Sequence, residues 1–346
     1  MEKEYKYMVC SRCFTFNHAP YITDAMNGFT MQETTFPVVT VIVDDASTDG
    51  EQNVIRKYLD EHFQKPYRTE ETEYAHIVCA NHRINPNCQF VVFLLKYNHF
   101  SIKKDKFLYI NEWLDNAKYH ALCEGDDYWT DQEKLQKQVS FLEMHPEFNV
   151  CSHDYVVYSN NEKKIVEESV YSTFFKNEAI LLPFLEYSLK DYFKAGYIRT
   201  LTCVYRNGSY LNNIPREKYK HYRDDIFHYY LLKQGKGVLL KDVMGVYRIH
   251  DGGVWSAIRG TGRDIEATIY NAYNIFTVEN DKKAFNKIKK LYVNLIILQL
   301  HEGMYCHTLG SIKKCFYQLP LKDFVFVIFQ TLNTIIRTTI KKLFHR

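Results

Sequence analysis

An excess of charge of either sign is what this sequence lacks. Its 346 residues carry 44 Lys and Arg against 41 Asp and Glu, a net charge of +3. Such a near-balance gives no global basic field, so a dedicated nucleic-acid binder is excluded and no nucleic-acid partner is expected. Disordered and fibrous classes are excluded as well, because 46% hydrophobic and 25% charged residues are ordinary globular proportions. No internal repeat or low-complexity segment is visible. No apolar core follows the charged stretch from Met1 to Tyr7, so no signal peptide is expected. The nine Cys are odd in number, and no second pair matches the spacing of Cys10 and Cys13. Free thiols in a reducing cytosol are therefore expected, rather than a redox pair or half of a zinc site.

What is present is an alternation of short apolar runs and helical patterns. Tyr7 to Phe14 reads as a strand, and Asn17 to Gln32 as a helix with Tyr21, Ala25, Met26 and Phe29 at helical spacing. Val38 to Val43 is a β-branched run, hence a buried strand. Ser47 or Thr48 is then positioned to cap a helix carrying Val54, Ile55, Tyr58 and Leu59. Strands follow at Phe90 to Leu95, Tyr119 to Cys123 and Val150 to Tyr158, with helices at Phe107 to Ala117 and Gln132 to His145. This order predicts an α/β fold with a parallel sheet covered on both faces. After about residue 160 the pattern changes: 160–176 reads as a loop, Val238 to Leu240 and Val243 to Arg248 as short strands, and Asp264 onward as helix. The length implies one large α/β domain with additions, or two small domains.

The last stretch, Leu321 to Leu343, has apolar residues at helical spacing. Gln330, Asn333 and Arg337 interrupt it, which argues against a spanning helix. Basic residues bracket the apolar run, which favours a helix lying in a membrane interface. The alternatives are a helix packed on the protein itself or on a second copy, as in a homodimer. Residues 313–346 hold seven Lys and Arg against Asp323 alone, so the tail is +6 and the rest of the chain −3.

Two acidic clusters directly follow strands. Asp44-Asp45 closes the Val38 run, and Glu124-Gly125-Asp126-Asp127 follows Tyr119 to Cys123. Ligands of open parallel sheets bind beyond the carboxyl ends of the strands. Adjacent carboxylates there repel one another unless a cation or a hydrogen-bonding ligand lies between them. Carboxylate oxygens with open positions suit Mg2+ or Mn2+, which in turn favours a diphosphate ligand. A third acidic group, Arg223-Asp224-Asp225, precedes a helix-like run. His250 ends a strand and precedes Asp251-Gly252-Gly253-Val254-Trp255-Ser256.

In order, four pieces of this chain resemble motifs of the family 2 glycosyltransferases, inverting enzymes of the GT-A fold. Thr15-Phe16-Asn17 with His18 and Tyr21 resembles the opening strand-to-helix motif. Residues Val43 to Gly50 are similar to V-D-D-x-S-x-D-G. Glu124 to Trp129 with Lys134-Leu135 is similar to the D-x-D region of a bacterial subgroup, and Val246 to His250 with Gly252 to Ser256 to its late motif. The resemblance covers roughly residues 5–260. It implies a GT-A domain over 1–260, with a donor half to about 130 and an acceptor half beyond, and a helical C-terminal region over 261–346. It also implies a hexosyltransferase that takes a nucleotide-sugar, a UDP-sugar first, and a saccharide or lipid-linked saccharide acceptor in surface-polysaccharide synthesis. The expected place of action is the cytoplasm, peripheral on the inner face of the cell membrane.

The site residues follow from the same resemblance. Thr15, Phe16, Asn17, Asp44, Asp45 and Ser47 are expected to hold the donor, with Arg83, Arg248 and Trp255 as further donor contacts. Asp126, Asp127 and His250 are expected to hold Mn2+ or Mg2+. Asp224 is the expected catalytic base and Asp225 its fallback. The sequence departs from the family pattern at Phe14, where Pro is usual, at Glu124, which replaces the first Asp of D-x-D, and at Arg223. Two other readings compete. A nucleotidyltransferase would need a Gly-rich basic loop, which residues 10–20 lack. A non-catalytic membrane-associated assembly protein with a degenerate transferase fold would tolerate the departures.

Overall fold

A computed structural model describes residues 3–169, 184–195, 198–219, 222–253 and 262–344. The chain divides into two compact units, residues 1–214 with 228–249, and residues 215–227 with 250–346.

The first unit is built on one mixed sheet. Its elements are β1 (Tyr7–Thr15), α1 (Ile22–Thr30), β2 (Val38–Asp44), α2 (Glu51–His62), β3 (Arg68–Glu71), β4 (Ala75–Asn81), β5 (Cys88–Leu95), α3 (Phe107–Leu114), β6 (Ala117–Leu122), β7 (Tyr128–Trp129), α4 (Lys134–Met144), β8 (Phe148–Ser159), β9 (Lys164–Glu167), β10 (Phe184–Tyr187), α5 (Leu189–Ala195) and β11 (Val204–Arg206). Helix α6 (Asp224–Gln234) then leads into β12 (Lys236–Ile249). The strand order is β10-β12-β8-β11-β6-β1-β2-β5-β4-β3, with β7 on β12 and β9 on β8.

The expected α/β class is what forms, but the sheet is mixed rather than wholly parallel. Strands β6, β1, β2 and β5 run parallel, as do β8 and β12. Strands β3, β4, β7, β9, β10 and β11 pair antiparallel. The six residues between β4 and β5 allow only an antiparallel return, since a parallel pair needs a crossover of a dozen or more.

The period of two along β2 explains its apolar run, broken only by the buried Thr40. Val38 and Ile42 enter a core with Ile22, Met26 and Leu135 of the flanking helices. Val39, Val41 and Val43 enter a second core with Ile110 and Trp113 of α3. A strand covered on both faces reads as a nearly continuous apolar, β-branched run. The same alternation separates Cys10 and Cys13, which lie in different cores, so they cannot act as a pair. All nine Cys are free, and burial pushes the Cys10 thiol up to about 12.

Four local readings change. Within 160–176, read as a loop, Lys164–Glu167 forms β9 against β8. The segment 17–21 forms a loop, and α1 begins only at Ile22. Neither Ser47 nor Thr48 caps α2: Gly50 does so at φ 93°, with Asp49 Oδ1 accepting from the Glu51 amide at 3.1 Å. The two short strands expected at 238–248 are one strand, β12, with register shifts against β8 around Leu240, Val243 and Val246. The polar pair Lys241-Asp242 falls within that irregularity and interrupts the apolar pattern without ending the strand.

The second unit contains four consecutive helices: α7 (Arg263–Glu279), α8 (Lys282–His301), α9 (Tyr305–Gln318) and α10 (Leu321–Phe344). Asn280, at φ 53°, ends α7, and Asp281 caps α8 by accepting from the Lys283 and Ala284 amides. Ile269, Ile288, Tyr292, Leu295, Cys315 and Val327 are in its core.

Ala46 sits between β2 and α2 at φ 61°. A Cβ in the left-handed region is strained. Replacing Ala46 by Gly is expected to raise stability by up to about 1 kcal/mol, the relieved strain less the extra entropy glycine loses on folding. A urea-denaturation midpoint lower than that of the parent chain would show that alanine is unstrained there.

Candidate functional site

Three loops leave the carboxyl ends of β1, β2 and β6 side by side. Thr15 pairs with Asp44, and Arg12 with Leu122. The pairing continues past the strands: the Asp45 amide donates to Thr15 O at 2.9 Å, Cys123 to Arg12 O at 3.1 Å, and Gly125 to Phe14 O at 3.3 Å. Thr15, Asp44-Asp45 and the Glu124–Asp127 segment are thereby held at one edge of the sheet. Gly125 is required by this closeness, because a Cβ there would lie 2.1 Å from Thr15 Oγ1.

Glu51, the first residue of α2, ties two of these loops together. Its buried carboxylate accepts from Thr15 Oγ1, from the His18 amide at 2.8 Å and from Ser47 Oγ at 2.8 Å. Burial pushes its pKa up, and the three donors oppose that rise. Further bonds join the same loops. The Asn17 amide donates to Ser47 Oγ and the Thr48 amide to Asn17 Oδ1, both at 2.8 Å, and the Ala19 amide donates to Asp49 Oδ2 at 2.9 Å. Asn17 itself is at φ 56°, a conformation asparagine tolerates well. Phe16, between these anchored residues, leaves 41% of its surface exposed.

At the third loop, His18 Nε2 lies 3.8 Å from Asp126 Oδ2, and His18 Nδ1 lies 3.2 Å from Thr15 Oγ1. Two ligands each about 2.1 Å from one ion are at most roughly 4.2 Å apart, so this imidazole and carboxylate are close enough to share a cation. Asp127 is buried, and its Oδ1 accepts from the Arg248 amide of β12 at 2.8 Å. Burial first, and then the charge of Asp126, push the Asp127 carboxyl well above the usual range. The Arg248 guanidinium binds Asp24 at 2.7 Å and lies over the rings of Tyr21 and Tyr128. Below this loop Trp129 is buried, donating from Nε1 to Leu201 O at 2.8 Å, with Lys134 Nζ 4.0 Å from its ring centroid. Burial lowers the Lys134 pKa to about 8.

The two aspartates of β2 have different surroundings. Asp44 Oδ1 accepts from the Ser47 amide at 3.1 Å and from Gln52 Nε2 at 2.6 Å, while its buried Oδ2 has no hydrogen-bond partner. Asp45 faces the loop that follows β5. It accepts from the His99 amide at 2.7 Å, the Phe100 amide at 3.1 Å and Lys106 Nζ at 2.7 Å.

The structure therefore brings together Thr15, Phe16, Asn17, Asp44, Asp45, Ser47, Asp126, Asp127 and Arg248. Arg83 is not among them. It follows β4 at the opposite end of β2 from Asp44, roughly 20 Å away, where it donates to the Phe63 and Asp60 carbonyls at 2.7 Å. It closes the end of α2. Trp255 lies outside the described residues. Asp224 and Asp225 open α6. Asp225 accepts from Asn271 Nδ2 at 2.6 Å within the second unit. His250 is the buried residue next to Ile249, the last residue of β12.

Residues not singled out from the sequence as ligands also belong to the cluster: His18, Glu51, Asp24, His99 and Lys106. The signal for Glu51 was available, since an acidic residue two beyond Asp49 opens the helix after the V-D-D-x-S-x-D-G motif. Glu51→Gln keeps the shape but turns one acceptor oxygen into a donor. It is expected to cost about 1–3 kcal/mol, read as a lower denaturation midpoint. An unchanged midpoint would mean that the loops are held without this carboxylate.

No protein-family model matches the chain. Among curated proteins it is similar to the uncharacterized proteins Rv1520 of Mycobacterium tuberculosis and Mb1547 of Mycobacterium bovis, each 29% identical over 249 residues. The match covers 70% of this chain and 58% of each relative, so the chain spans less than two thirds of the relatives' length. Among solved structures it is similar to S. aureus TarS 1-349 in complex with UDP, at TM-score 0.46 and 16% identity over 93% of this chain and 81% of that one. It is also similar to the mannosyltransferase PcManGT from Pyrobaculum calidifontis in complex with GDP-Man and Mn2+, at TM-score 0.49 and 12% identity over 96% and 84%.

Proposed function

We propose that this protein is a metal-dependent inverting glycosyltransferase that moves a sugar from a nucleotide-diphospho-sugar to an acceptor hydroxyl. The observation that carries this reading is the joining of the β1, β2 and β6 loops, which sets Thr15, Asp44 and the His18–Asp126 pair at one sheet edge. Nucleotide ligands of α/β sheets bind at such carboxyl ends. The resemblance of these same loops to family 2 motifs points to the same chemistry.

Phe16 offers an exposed aromatic face for the nucleobase, and the fixed backbone at Thr15 and Asn17 orients it. Asp44, whose Oδ2 has no hydrogen-bond partner among the described residues, is the acceptor for a base or ribose donor. Asp45 acts by holding the loop after β5 in place. Asp126 with His18 holds the cation. His250 is the third ligand, because it is two residues from Arg248, whose amide is bonded to Asp127 next to Asp126. Covalent geometry keeps its Cα within about 7 Å of that of Arg248. A set of imidazoles and one carboxylate suits Mn2+ better than Mg2+, which prefers oxygen ligands throughout. A divalent cation held there supplies Lewis-acid stabilisation of the charge that develops on the leaving diphosphate.

Asp224 is the base. It takes the proton from the acceptor hydroxyl as that oxygen attacks the anomeric carbon, and one in-line displacement inverts the centre. The substrates of this reading are a UDP-sugar and a saccharide or lipid-linked saccharide of a surface polysaccharide.

The test is a mass-shift screen of nucleotide-sugars with Mn2+. Turnover of none of them, with no binding, would leave a non-catalytic assembly protein. Asp224→Asn is expected to keep donor binding and to lower transfer by about 10²–10⁴-fold; surviving transfer would move the base to Asp225. Asp126→Ala is expected to weaken nucleotide binding with Mn2+ but not without it, as read by calorimetry. Equal affinities with Mn2+ for parent and variant would remove Asp126 from the metal site.

A further inference from the structure

We propose that the outer face of α10 docks on an anionic lipid bilayer. The helix has two apolar faces. Val327, with Thr331 and Phe324, turns inward; Val327 is fully buried and belongs to the core of the second unit. On the other side Leu321, Val325, Phe329, Leu332 and Ile336 are all exposed. At 100° per residue these five positions fall within about 80° of arc. A helix that only packed on its own protein would need the first face and not the second. Helix α9 has a stripe of its own, with Tyr305, Leu309 and Phe316 exposed.

Charge selects the occupant. Lys322 and Arg337 are exposed on α10 and Lys313 on α9. Residues 313–346 contain seven basic residues and one acidic residue. That residue, Asp323, is already bound to Lys289 of α8 at 3.0 Å. A second copy meeting this face through a two-fold axis would bring two sets of cations together, with no acid of α10 besides the paired Asp323 to separate them. Anionic headgroups complement the cations, and the hydrocarbon boundary accepts the aliphatic and aromatic side chains. Among the described residues no helix is long and apolar enough to cross a membrane, so the helix lies along the surface.

The test is flotation of the full chain with phosphatidylcholine vesicles that contain or lack about 30% phosphatidylglycerol. The parent chain is expected to float with the anionic vesicles and to stay behind with the neutral ones. The double variant Val325→Glu, Phe329→Glu changes only exposed side chains. It is expected to keep the parent's thermal unfolding and to lose flotation. Lys322→Glu with Arg337→Glu is expected to weaken binding about tenfold or more. No flotation of the parent chain, or equal flotation of parent and apolar-face variant, would overturn the proposal. So would a dimer in analytical ultracentrifugation that Val325→Glu, Phe329→Glu dissolves, because a second copy would then be the occupant.

Discussion

The buried carboxylate of Glu51 is the constraint on which the candidate site depends. Parallel strands deliver their loops to one edge, and the ladder's backbone bonds reach only the first residues of those loops. Glu51 holds them further out, from the first turn of α2, where the unsatisfied amides of the helix favour a negative charge. It collects a hydroxyl and an amide from the β1 loop and a hydroxyl from the β2 loop. His18 is thereby turned towards Asp126, and the left-handed turns at Asn17 and Ala46 are held. The cost is a buried acid close to Asp44, whose charge also raises the Glu51 pKa.

Both aspartate pairs at this edge divide their work in the same way. In each pair the second residue accepts backbone amides from another segment: Asp45 from His99 and Phe100, Asp127 from Arg248. The first residue stays at the strand end or loop tip, where Asp44 keeps an oxygen without a hydrogen-bond partner and Asp126 faces His18. Adjacent carboxylates thus persist without being equivalent. One of each pair fixes a neighbouring loop, and the other faces what the loops enclose. Amide donors make this tolerable for Asp45 and Asp127, since a buried carboxylate without donors would be far more costly.

The strands that carry the site were legible because burial on both faces leaves an unmistakable run, as from Val38 to Val43. The acidic clusters were legible because they sit directly after such runs. The β3–β4 hairpin was not. Arg68–Glu71 is a charged, mostly exposed edge strand, so it has no apolar alternation to read. The split of β12 into two expected strands came from Lys241-Asp242, where an irregular register lets polar residues interrupt a strand that continues. Arg83 looked like a donor contact because residue type and approximate spacing say nothing about which end of a sheet a hairpin reaches. An acidic residue opening the helix was visible at Glu51, but its partners were not: two lie 33 and 36 residues away in sequence and the third, Ser47, in the loop before the helix, and only folding brings the three together.

The near-neutral composition also conceals a separation that the local pairings make visible. In the first unit, Lys106 answers Asp45 and Arg248 answers Asp24, while Asp44, Glu51, Asp126 and Asp127 share one sheet edge, with the His18 imidazole 3.8 Å from Asp126. In the tail the relation is reversed, with the lone Asp323 matched by Lys289 and the basic residues left in excess. Each region therefore has a local excess of charge of a definite sign. A concave carboxylate edge is met by a compact cation, which can approach several oxygens at once. A line of cations beside an apolar stripe is met by an extended anionic surface, because only a surface satisfies the charges and the side chains between them together. A net charge of +3 is thus the residue of two opposite local excesses.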